Sequence, residues 1–227
     1  LLVEIGTEKA LLAVGEWSAW LPIHFSALPL HLADLEGRVQ VYVKEVRPNL
    51  QVYVSPVNMA AGNPAQVISS PSDFATQLHG LVGDYYTQGM PEETNALSDG
   101  LFTDDDYVKQ VKRVQTDSKR LLKVALDRFD SGDTTFFYLS DIDLQCHMLW
   151  RHADPKHADA APHPASDDAS IAHKHAHDIE HYYQDVDLMV GDLVKTLPKD
   201  TVLIIMSDHG FQPFTRKVHL NAWLRDN

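Results

Sequence analysis

Two six-residue extended runs, each preceded by a long helical pattern, constrain this chain more than anything else in it. Thr134–Leu139 follows a helical period opened by Asp104, Asp105 and Asp106, whose charges suit the positive end of a helix. Tyr107, Val111, Val114, Leu121, Leu122, Ala125 and Phe129 keep that period, and Gly132 closes it. Thr201–Met206 follows a second helix expected from about Asp178 to Leu197, with Ile179, Tyr182, Val186, Met189, Val190, Leu193 and Leu197 inward and Pro198 as the stop. Neither run alternates polar with apolar, which is the habit of strands covered on both faces. The order helix, strand, helix, strand predicts an α/β fold with a mostly parallel sheet flanked by helices.

The first 70 residues read differently. Val39–Lys44 and Leu50–Val54 alternate in polarity around Arg47-Pro48-Asn49, so a hairpin is expected. Gly15–Ser18 and Leu21–Phe25 add one or two further strands, and no helical period interrupts them. Residues 1–70 are therefore expected to form a β-rich lobe and residues 71–227 an α/β core segment. Ser70-Pro71-Ser72-Asp73 reads as the start of a helix, with Ser70 as the cap, Pro71 in the first position and Asp73 completing a capping box. Phe74, Leu78, Leu81 and Val82 are its expected buried stripe.

The formal net charge of −13 argues against binding a nucleic-acid polymer, which needs a basic face. It permits an anionic small molecule, because bound cations reverse the local sign. Cys146 is the single cysteine, so no intrachain disulfide exists. No apolar run approaches the roughly 18 residues of a membrane span. The start, Leu1–Glu8, has no basic n-region, is no signal peptide, and reads as the interior of a longer chain. Localisation stays open, export of a full-length protein included.

Each extended run ends in an acidic-histidine motif. Asp143-Leu144-Gln145-Cys146-His147 follows the first; if it turns helically, the four-residue spacing brings Asp143 and His147 to one face. Asp208-His209-Gly210 follows the second, with Gly210 free to turn the backbone away. In an open α/β sheet, ligands gather at the carboxyl ends of strands. Two carboxylates and two imidazoles delivered there are a donor set for transition-metal ions. Taken singly, Asp143 could be a helix cap and His147 merely exposed. Asp141, Arg151 and His152 are candidate site-lining residues, and His157 is a weaker one. Eight of the 13 histidines lie between His147 and His181, in a polar segment that reads as a solvated loop more readily than as a metal-scavenging tract. Cys146 is expected to pack rather than react, and His219 to begin a helix rather than to ligate.

At Tyr138–Arg151, Ser207–Phe211 and His219–Leu224 the chain resembles the alkaline-phosphatase superfamily, and within it the type I phosphodiesterase/nucleotide pyrophosphatase family. The likeness is best over residues 104–227; the β-rich front resembles an insertion that some bacterial members carry. The resemblance implies an alkaline-phosphatase-like fold and a site with two divalent metal ions, usually zinc, with manganese or magnesium as alternatives. It implies that Asp143 and His147 bind one ion, that Asp208 and His209 bind the other, and that the substrate is a phosphate-ester small molecule. It also implies a Thr or Ser nucleophile and a covalent phospho-enzyme intermediate.

The chain departs from that pattern. No strand-end Asp precedes Thr7, Cys146 stands where members often carry Gly, and neither the nucleophile nor a further downstream His is evident. The expectation is therefore an internal fragment, with four metal ligands, its nucleophile upstream, and little activity of its own. Two rivals remain. A phosphomutase or sulfatase relative in the same superfamily shares the Asp-His-Gly strand end, but mutases need Arg clusters and only scattered Arg such as Arg151 and Arg216 are present. A non-catalytic module binding metals or a partner through its acidic, His-rich surface is the other.

Overall fold

The computed structural model describes residues 1–26, 34–154, 174–213 and 218–226. His157, His173 and Arg216 lie outside the described residues. The chain divides into two compact units, Leu1–Ser140 and Asp141–Asn227.

Among the described residues, the strands lie in the first unit. β1 (Leu2–Ile5) and β2 (Glu8–Leu11) form an antiparallel hairpin, Leu2 opposite Leu11 and Ile5 opposite Glu8. β3 (Leu21–Ser26), β4 (Asp34–Val39) and β7 (Asn58–Met59) make a three-stranded antiparallel sheet in the order β3-β4-β7. β5 (Val41–Glu45) and β6 (Gln51–Val54) are the hairpin expected around Arg47-Pro48-Asn49, with Tyr42 opposite Tyr53. Gly37 is required in β4, because a Cβ there would come within 2.6 Å of Val57 Cγ1.

Three helices follow: α1 (Phe74–Val82), α2 (Thr94–Ser98) and α3 (Asp104–Asp127). α1 begins three residues later than a Pro71 start requires. Asp73 stands at its N-cap position with no side-chain cap, and Ser69, not Ser70, accepts the Ala75 N–H at 3.0 Å. Its buried residue is Ala75, while Leu81 is exposed, so the expected stripe is rotated. α3 behaves as its sequence predicts at the front. Thr103 and Asp106 form a reciprocal capping box, with the acids of Asp104–Asp106 in the first turn. Tyr107, Val111, Val114 and Leu122 are buried. The helix ends at Asp127, short of Gly132, which adopts a φ of 91° in the loop beyond.

An aromatic cluster holds this unit together. Trp17 stacks on Tyr42 at 5.0 Å between ring centroids, and Phe102 meets Tyr53 edge-on at 4.6 Å. Phe102 also contacts Trp17 and Tyr42. Buried polar groups are tied to the same cluster: the Tyr42 hydroxyl donates to the Asp106 carboxylate, and Tyr53 donates to Glu93 at 2.6 Å. Burial and these acceptors push both phenols well above the usual tyrosine range.

The second unit is built on helices. α4 (Asp141–Ala153) packs on α5 (Asp178–Thr196), and α6 (Leu220–Asp226) begins one residue after His219. Ile179 and Tyr182 are the buried residues of α5, whose later turns are progressively exposed.

Among the described residues the expected parallel sheet is not formed. All strand pairs are antiparallel, and residues 134–139 and 201–206 pair with no strand among the described residues. The second run is extended and open to solvent, with Val202 81% and Met206 77% exposed. A strand is defined by its neighbours: without a ladder to satisfy its N–H and C=O groups, an apolar run stays an extended segment.

Truncating Phe102 to Ala should cost about 3–5 kcal/mol, since it empties the middle of the ring cluster, whereas Thr103→Ala should cost about 1 kcal/mol for the lost cap. Urea denaturation followed by aromatic fluorescence distinguishes the two. Glu93 and Asp117 both have carboxyls raised by burial, against hydrogen bonds from Tyr53 and from the Tyr86 N–H. An acid whose pKa is higher in the folded state binds its proton more tightly there. Its contribution is therefore complete below the ordinary range of about 4 and is lost as pH rises through the raised value. Glu93→Gln should flatten this part of the pH–stability curve, measured by denaturation between pH 4 and pH 7.

Candidate metal centre

Every residue of the candidate centre lies in the second unit. α4 starts at Asp141, directly after the first apolar run, so Asp143 and His147 fall one turn apart on one helix face. Asp141, Leu144, Gln145, Cys146 and Leu149 are buried, which leaves Asp143 and His147 at the helix surface. His147 Nε2 stands 3.5 Å from Asp143 Oδ1. The extended segment after Met206 brings His209 to the same carboxylate, with its Nε2 3.6 Å from Asp143 Oδ1. Donor atoms of Asp143, His147 and His209 all lie within 4.8 Å of one another.

Asp208 is not in that group. Its side chain is 89% exposed, and its Oδ1 lies 3.8 Å from His209 Nε2. The Ser207 hydroxyl donates to the His209 carbonyl at 2.6 Å, a bond that shapes the turn carrying His209.

An aromatic wall backs the imidazoles, and the sequence reading missed it. Phe211 meets the His147 ring edge-on at 4.9 Å and the His209 ring at 5.3 Å. Trp150, one turn after Cys146 on α4, stacks on Phe211 at 5.9 Å. The signal was available: Phe211 follows the Asp-His-Gly turn directly, and Trp150 stands three residues after His147 on the same helix.

The remaining candidates sit elsewhere in the unit. Asp141 is fully buried at the start of α4. Arg151 and His152 lie in the last turn of α4, and His152 is roughly 8 Å along the axis from His147. The His152 ring approaches His175 at 5.4 Å, and His175 is bonded to Asp178 through its Nδ1 at 2.6 Å. His219 is exposed ahead of α6. Cys146 is buried, and burial pushes its thiol up to about 11, opposed by a hydrogen bond with Tyr183 and assisted by the Asp143 charge. It stays protonated at neutral pH, which suits the packing role expected of it.

Two imidazoles and one carboxylate, half exposed and within reach of one another, fit a divalent transition ion better than magnesium, which prefers an all-oxygen set. A family model described as type I phosphodiesterase / nucleotide pyrophosphatase matches residues 49–227. The chain belongs to that family. The match takes in α3, both acidic-histidine motifs and β6, so it reaches further upstream than the likeness visible in the motifs alone. No curated protein and no solved structure matches the chain. Membership makes this a hydrolase lineage acting on phosphate-ester small molecules. Among the described residues, no helix is long and apolar enough to cross a membrane.

Zinc binding provides the check on the centre. Asp143→Ala removes the carboxylate between the two imidazoles and should abolish tight zinc uptake. Phe211→Ala leaves every donor in place but frees both rings to turn, and should weaken zinc by about tenfold, the lower end for loss of a ligand-orienting contact. Competition against a chromogenic chelator measures both.

Proposed function

We propose that the chain is part of a two-metal phosphodiesterase or nucleotide pyrophosphatase in which Asp143, His147, Asp208 and His209 hold the ions. Asp143 and His147 serve one ion, Asp208 and His209 the other, and zinc is the resident metal. The observation that carries this reading is the convergence of Asp143, His147 and His209 on one point in a member of this family. Asp143 stands between the two imidazoles, 3.5 Å from His147 and 3.6 Å from His209, so its carboxylate can reach an ion held by either. Asp208 is exposed and lies beside His209, its Oδ1 3.8 Å from His209 Nε2.

When bound, the ions would withdraw charge from the phosphoryl oxygens and lower the pKa of the attacking hydroxyl. The chain's own residues hold position: α4 sets the spacing of Asp143 and His147, and Phe211 fixes the planes of both imidazoles. Ser207 donates to its own turn; the attacking Thr or Ser and a further Asp ligand are expected upstream, outside residues 1–227, and a further His ligand downstream. In the complete fold, residues 134–139 and 201–206 are strands of a mostly parallel sheet. Their apolar composition and exposure support this, since such runs gain stability only when both faces and both edges are covered. Residues 1–70 are then a β-rich insertion ahead of the core segment 71–227.

The test compares this chain with a longer natural protein on bis(4-nitrophenyl) phosphate in the presence of zinc. The 227-residue chain should bind zinc and turn over little, and the longer protein should hydrolyse the diester. Asp208→Ala in the longer protein should abolish at least about 99% of that rate, the scale expected when one ion of a pair is lost. Hydrolysis by the short chain that Asp208→Ala abolishes would overturn the assignment of the nucleophile. Zinc uptake that survives Asp143→Ala and Asp208→Ala, but disappears when residues 152–177 are deleted, would favour a non-catalytic metal-binding module.

A further inference from the structure

A second candidate site lies in the first unit, in a groove of about 440 Å³ between α3 and the segments carrying Trp20 and Tyr86. That volume is within the range of small-molecule sites. In a chain of net charge −13, it gathers three cations, Lys112, Arg113 and Arg120, with a single carboxylate, Asp117. The helix period explains the gathering: Lys112 and Arg120 stand two turns apart on one stripe of α3, and Arg113 and Asp117 stand on the stripe beside it.

The carboxylate is fully engaged inside the wall of the groove. Asp117 Oδ2 accepts from the Tyr86 N–H at 3.0 Å, and its Oδ1 accepts from Arg120 at 2.9 Å. Asp117 therefore steadies Arg120; its charge also attracts Arg113 but makes no salt bridge with it. Arg113 donates to the Ser18 carbonyl at 3.0 Å, and its guanidinium lies over the Trp17 ring at 5.9 Å. Among the described residues, neither Lys112 nor Arg113 forms a salt bridge. Opposite them, Trp20 and Tyr86 meet edge-to-face at 4.9 Å, and the Tyr86 hydroxyl is anchored by donation to Gln40 Oε1 at 2.9 Å. Burial holds that phenol protonated, its pKa pushed up to about 12, so the aromatic wall brings no negative charge of its own.

We infer that this groove binds an aromatic phosphate monoester such as a nucleoside monophosphate, with the ring against Trp20 and the phosphate at Lys112, Arg113 and Arg120. An indole wall gives a planar ring stacking area. Lys112 and Arg113, which form no salt bridge among the described residues, suit a dianion, and Arg120 can add to them while held by Asp117. The site is separate from the metal centre in residues and in chemistry, and the inference does not depend on the proposed hydrolase reading.

Calorimetry of the full chain with adenosine monophosphate, in EDTA and at low salt, tests it. One binding event per chain is expected, unaffected by His147→Ala and weakened about tenfold by Lys112→Ala, the change for one lost charged contact. Lys112 is exposed on α3 and makes no salt bridge among the described residues, so its loss leaves the fold intact. Trp20→Leu should weaken the nucleotide while leaving inorganic phosphate unchanged. The inference is overturned if no heat is seen, if His147→Ala removes the binding, or if adenosine binds as tightly as its monophosphate.

Discussion

A carboxylate and an imidazole one turn apart can share an ion only if the helix that carries them is held still. That requirement is met by the opposite face of α4. Leu144, Gln145 and Leu149 are buried, and α5 supplies Ile179 and Tyr182 as buried residues from its first turns. The Cys146–Tyr183 hydrogen bond adds a side-chain tie between the helices. The rotation of α4 is thereby fixed, and with it the direction of Asp143 and His147. His209 has no such support from secondary structure. It arrives on an extended segment and depends on Phe211, which Trp150 in turn supports from α4. The centre is thus half helix-borne and rigid, half loop-borne and adjustable.

This division accounts for what could be read in advance. The Asp143–His147 pair was legible because a four-residue spacing has one geometric meaning on a helix. The β5–β6 hairpin was legible because alternation and a Pro-Asn turn agree, and the α3 start because Asp104, Asp105 and Asp106 suit the positive end of a helix. Phe211 and Trp150 were not found because an aromatic residue beside a motif carries no mark distinguishing a wall from core. The α1 start was misplaced for a related reason: Ser69, Ser70 and Ser72 offer equivalent hydroxyls, and only the path of the chain decides which one reaches an amide.

The two extended runs illustrate a different limit. Apolar composition states what a segment needs, and pairing states what it has. Ile204 is 75% exposed in a run that reads as a doubly covered strand. Composition and environment are locally in conflict there, and in natural sequences such conflicts mark surfaces that function or assembly covers. The same run leads directly into Asp208 and His209. Covering it would restrain the segment that supplies His209.

Charge bears on both candidate sites. A chain of −13 repels phosphate esters at long range, with screening over about 8 Å at physiological ionic strength. Anions must therefore be recognised through strong local reversals of the field. In the second unit the proposed metal ligands would do this by recruiting cations, and in the first the proposed groove would do it with cations of α3, of which Arg120 is paired with Asp117. In each case one side chain that could spoil the effect is silenced by its surroundings. Cys146 is kept a neutral thiol beside the candidate metal ligands, and Asp117 is engaged by the Tyr86 N–H and Arg120. Burial serves chemistry here by deciding which charges remain available to a ligand.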